Sequence, residues 1–287
     1  MPDRRSPFAR HRWTPSRYRA LLRTRGPRSV RFRTRVSVLA GAIAIGLVAI
    51  LFAEAADWAG GWFNGYARRW HWLPLLTTPL AFVALVWVTR RIAPLAKGSG
   101  IPQVIAASED PNRATGTLIS MRTAVAKIVL TIAAVLSGAS VGREGPTVQL
   151  AAAVMGLTHR IMRVPLRTPV VIASGAAGVA AAFNTPLAGL LFAIEELASA
   201  YEQRVTLLVL SAIVIAGMVA QSVQGDYVYF GVIGASIPLS SALLVVPVAG
   251  VVGGLSGGAF ARLMLMLATG STAVTRWSKA HPILFAG

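Results

Sequence analysis

Several stretches of this chain are long enough to cross a bilayer yet carry no charged residue: 36–53, 70–89, 168–194, 205–225 and 227–261. A hydrocarbon core about 30 Å thick takes about 20 residues of helix, and in lipid a helix satisfies its own backbone. The pattern therefore points to an all-α polytopic membrane protein. Composition agrees, with 55% hydrophobic and 13% charged residues among 287 and a mean hydropathy of +0.62. There is no cysteine, which excludes a disulfide framework and a thiolate metal site. His11, His71, His159 and His281 are scattered without ligand spacing. Each is expected in a loop or at an interface, and no metal, cofactor or enzymatic chemistry is expected.

The net charge of +18 is uneven. Residues 1–36 hold twelve arginines against Asp3 alone, so +11 of the excess sits there. With Pro2, Pro7, Pro15 and Pro27 and no apolar period, residues 1–35 are expected to form a mobile cytoplasmic arm against anionic lipid. Each basic residue near such a surface contributes roughly 1 kcal/mol. Nucleic-acid binding is the sharper reading of an arginine-rich tail, and the juxtamembrane position argues against it. The tail sets the N-terminus of the first span, 36–53, on the cytoplasmic side of the cell (inner) membrane. That span is expected to emerge near Glu54 and Asp57. Trp58, Trp62, Trp70 and Trp72 then suit a headgroup boundary, and residues 73–89 return to Arg90, Arg91 and Lys97.

Gly142-Arg143-Glu144-Gly145-Pro146-Thr147-Val148-Gln149 places a charged pair inside otherwise uncharged sequence. Pro146 suits the first turn of a helix, which puts Glu144 and Gly145 where free N–H groups and the positive dipole end collect. Two readings stand: an anion site with a carboxylate beside it, or a loop carrying a surface ion pair. Upstream, Gly98-Ser99-Gly100-Ile101-Pro102 reads as a helix start with Ser99 as N-cap. The apolar part that follows, 101–108, is too short to cross and suits a broken helix facing a cavity. Residues 109–117 read as a polar turn, and 118–142 as a helix with Arg122 and Lys127 near its start.

Residues 169–183 are dense in alanine, glycine and serine, a face that lets helices approach closely. Asn184-Thr185-Pro186 breaks and restarts the helix, which runs on to Glu195-Glu196. That pair is open to two readings, a solvated helix end or a proton relay. Residues 205–225 form a further span. Residues 237–268, with Pro238, Pro247 and paired glycines at 253–254 and 257–258, read as a tightly packed or broken long helix. Residues 282–287 look like the opening of another.

The Gly98–Pro102 motif, the Gly142–Pro146 motif, and Ala182-Phe183-Asn184-Thr185-Pro186-Leu187-Ala188-Gly189 followed by Glu195-Glu196, in this order, resemble the CLC family of voltage-gated chloride channels and chloride/proton antiporters. The resemblance runs from about residue 36 to 287. It implies a CLC-type fold with broken, re-entrant helices, here the first inverted repeat plus the start of the second. On that reading residues 1–35 are the arm and 36–287 an incomplete transmembrane domain. The second-half Gly-x-Phe-x-Pro motif and late pore tyrosine of the family are not in this sequence.

By resemblance, Ser99 is the serine that coordinates chloride and favours it over nitrate or fluoride. Glu144 is the gating glutamate, and the backbone amides of Arg143, Glu144 and Gly145 line its anion site. Glu196, with Glu195 beside it, is the internal proton-transfer residue of the antiporter branch. The function implied is chloride/proton antiport. A passive voltage-gated channel and a non-transporting truncated membrane protein are the alternatives. The implied partners are chloride, protons, membrane lipid and a second copy in a homodimer built partly from residues 186–225, with no nucleic acid. Physically, a carboxylate competing with chloride for the same N–H donors would couple protonation to anion movement.

Overall fold

The computed structural model describes residues 27–197, 207–225 and 238–269, together with 276, 277 and 280. All its elements are helical, and no strand occurs among the described residues. Helix α1, Pro27–Arg69, runs for 43 residues. No proline interrupts it before Pro74, and the helix runs on past Glu54 and Asp57 to carry the tryptophan-rich stretch. Its first turns also absorb residues 27–35, which were expected in the mobile arm; arginine is a good helix former. The rest of that arm, residues 1–26, lies outside the described residues.

Helix α2 is Pro74–Arg91, followed by a 3₁₀ turn, Pro94–Ala96, and the short α3, Ile101–Glu109. The expected polar turn holds a one-turn helix, α4, Pro111–Ala114, because Asp110 caps it by accepting from the Arg113 N–H at 3.3 Å. Helix α5, Met121–Leu136, is shorter than expected at both ends. Ser120 caps its start, accepting from Thr123 N–H at 3.2 Å, and Gly138 turns left-handed just past its end (φ +92°). Then come α6, Glu144–Ile161, α7, Thr168–Ala182, and α8, Pro186–Phe192, which runs into a π-helical turn at Ala193–Leu197. Helices α9, Leu207–Gln224, and α10, Leu239–Thr269, complete the set.

Helix α7 is apolar on every side and buried along nearly its whole length, as expected of a helix at the centre of a bundle. Small residues set its contacts. A Cβ on Gly178 would press on Ala151 and the Thr147 carbonyl of α6, and one on Gly189 of α8 would press on Ala180 and Ala176. Helices α1 and α6 run antiparallel in a register that four contacts fix: Arg33 to the Met162 carbonyl, Ser37 to His159, Gly41 against Met155, and Asp57 to Arg143. Gly46 meanwhile admits Val219 of α9.

His159 corrects one expectation. It is neither interfacial nor in a loop but 1% exposed, its Nδ1 lying 3.0 Å from both Ser37 Oγ and the Met155 carbonyl. Helix α10 corrects another. It is continuous through Pro247, and a Cβ on any of its glycines would meet nothing within 4 Å, so it is neither broken nor tightly packed. Among the described residues, three helices are long and apolar enough to cross a membrane, within α1, α9 and α10.

Candidate functional site

Glu144 is the first residue of α6, at the end where that helix has free amides and its positive dipole end. Its side chain folds back over Gly142, so closely that any Cβ there would overlap Glu144 Oε2. Ser99 lies between two left-handed glycines, Gly98 (φ +84°) and Gly100 (φ +117°). These turns carry Ser99 out of the capping position. Gly100, not Ser99, is the N-cap of α3, and no side chain caps that helix.

The loop before α3 and the first turn of α6 meet backbone to backbone. A Cβ on Gly100 would overlap the Gly145 carbonyl, and one on Gly145 would overlap the Ser99 carbonyl. This contact brings the two motifs, 44 positions apart, to one place. Ser99, Glu144 and Gly145 then line a single cavity of about 580 Å³, walled by apolar residues of α2 and α5.

Lys127 of α5 lines the same cavity. It is 3% exposed, and its ammonium donates to the Gly98 carbonyl at 2.7 Å. The sequence reading placed it in a helix and gave it no role. The available signal was its isolation as the last charge before a run of uncharged residues reaching 142. An ammonium held there by a carbonyl leaves a positive field at the cavity without forming a contact that would trap an anion.

The Arg143 side chain points elsewhere. Its guanidinium donates to Asp57 Oδ2 at 2.9 Å and to the Ala53 carbonyl at 3.3 Å, both on α1. Together with Glu54, Asp57, Asn184 and Gln224 it lines a separate cavity of about 300 Å³. Asp57 is a second residue the sequence did not single out for the site, since nothing local marks a partner 86 positions away. Glu195 sits exposed on the π-helical turn and does not line the Ser99–Glu144 cavity. The Glu196 side chain lies outside the described residues.

Comparison with known proteins bears on the whole arrangement. Residues 80–287 match the sequence profile of the family described as voltage gated chloride channel. The H(+)/Cl(-) exchange transporter ClcA of Vibrio cholerae is 34% identical over 214 residues, covering 71% of this chain and 43% of the relative. The chain thus spans less than half the length of that relative. Two solved structures share the fold. A slow cyanobacterial Cl-/H+ antiporter matches with a TM-score of 0.68 at 24% identity, over 83% of this chain and 58% of the other. A CLC-type fluoride/proton antiporter matches with a TM-score of 0.62 at 21% identity, over 82% and 57%. The chain belongs to the voltage-gated chloride channel family.

Proposed function

We propose that this chain supplies part of a chloride/proton exchange pathway, with Glu144 as the gate. The observation that carries the reading is the shared cavity: a hydroxyl at Ser99 and a carboxylate at a helix N-terminus open on one space, and Lys127 biases that space towards anions. Ionised, the Glu144 carboxylate competes with chloride for the amides at the start of α6. Protonated, it loses that claim and the anion takes its place. Proton and anion movements are thereby tied to one side chain. Exchange is favoured over a passive channel by the ClcA relative, whose name states that activity. Glu196 is the proposed inner proton-transfer residue, with Glu195 next to it.

The arm lies on the cytoplasmic side, by the charge asymmetry of the sequence. Helices α8 and α9 would contribute to a homodimer contact. The test is paired chloride and proton flux in proteoliposomes. Glu144→Gln is expected to bring proton movement to background while chloride movement persists. Proton flux at an unchanged ratio to chloride in that variant would refute the gate.

A further inference from the structure

We infer that the far end of α1 forms a binding site for an anionic phospholipid, with the acyl chain in an aromatic groove and the headgroup on Arg68 and Arg69. At roughly 1.5 Å per residue, a 43-residue helix is about 64 Å long, twice the hydrocarbon thickness. The end remote from the arginine-rich arm must therefore project through the headgroup level. Its sequence there is built for that depth: Trp58 and Trp62 stand 6.2 Å apart, both about 60% exposed, and Phe63 and Tyr66 lie 6.4 Å apart. Trp70 and Trp72 follow directly.

A groove of about 390 Å³ opens between this face, α2 and the end of α5, lined by Trp62, Phe63, Tyr66, Ala81, Leu136 and Ser137. Its polar atoms are partly engaged with one another, since the Tyr66 and Thr77 hydroxyls are 3.1 Å apart. What remains suits a hydrocarbon chain. The headgroup preference comes from charge. Arg68 and Arg69 fill the last turn of α1, both exposed, at the end where the positive-inside rule would put few cations. Lipid phosphates supply the countercharge that the aromatic neighbours do not.

The test uses the full chain in mixed micelles and tryptophan quenching by phospholipids brominated on the acyl chain, with either a phosphatidylglycerol or a phosphatidylcholine headgroup. Phosphatidylglycerol is expected to compete on the order of 30-fold better, the ~2 kcal/mol of two arginines at an anionic surface. Arg68→Gln with Arg69→Gln should lower the preference by about that factor while leaving quenching itself. Ala81→Phe, which fills the groove, should reduce quenching by both lipids. Equal quenching by both headgroups in the wild type would overturn the proposal. So would a preference unchanged in the arginine variant, or one abolished by millimolar inorganic phosphate, which would make the arginines a free-anion site. Disulfide capture of two copies through Ser137→Cys would show instead that a second chain covers the groove, and would overturn it too. None of these readouts depends on ion flux, so the lipid site and the transport reading fail separately.

Discussion

At the scale of the residue, the arrangement turns on side chains that sit close to glycine. The Glu144 carboxylate occupies the space a Cβ would take at Gly142, and Gly142 is exposed without a left-handed φ. Alanine there is therefore compatible with the backbone and strikes only the flexible end of a side chain. Gly142→Ala is expected to change stability by no more than about 0.5 kcal/mol, while displacing the carboxylate from its resting position. Thermal melting should be unchanged, and the ratio of proton to chloride flux should fall. A wild-type ratio would show that the folded-back pose is irrelevant to gating.

At the scale of the element, the antiparallel pair α1–α6 decides where Glu144, the proposed gate, stands. Ser37 to His159 fixes one end, and Asp57 to Arg143 fixes the other, one residue before Glu144. Asp57 is largely exposed, 69% for its side chain, so solvent and salt screen the pair and it contributes less than about 1 kcal/mol to stability. Its consequence lies in position. Asp57→Ala is expected to leave the melting temperature nearly unchanged and to shift the pH dependence of chloride flux, and Asp57→Glu should restore the wild-type profile. Failure of the glutamate to restore it would mean that the pair does not position the gate.

The helices themselves were largely legible in the sequence. The starts at Ile101 and Pro186 follow from proline and glycine punctuation, and the buried α7 from its small residues. The length of α1 was not legible, because charged Glu54 and Asp57 look like a membrane exit although nothing in their chemistry stops a helix. Ser99 and Glu144 were picked out by motif, but their shared cavity depends on backbone contact between a loop and the first turn of α6. Lys127 and Asp57 owe their places to tertiary register, which no local pattern encodes.

At the scale of the whole molecule, the spans and the charge asymmetry combine into a topology that can be measured directly. The chain contains no cysteine, so single introduced thiols report without background. Ser6→Cys is expected to react with a membrane-impermeant maleimide only from the cytoplasmic face, and Asn64→Cys only from the opposite one. Labelling of both from the same side would contradict the orientation proposed here. Helix α10 shows the other face of this scale. Its apolar surface is exposed throughout, so the described bundle of α1 and α5–α9 is organised without it.

The contact of Gly100 with Gly145 has a further consequence. Where two backbones touch with no side chain between them, their closest approach is set by van der Waals contact of main-chain atoms and not by side-chain repacking. The approach of Ser99 to the start of α6 then has a lower limit set by the main chain. On the proposed reading, the main chain limits how near the two sides of an anion site can come, and the Glu144 side chain is the part that moves.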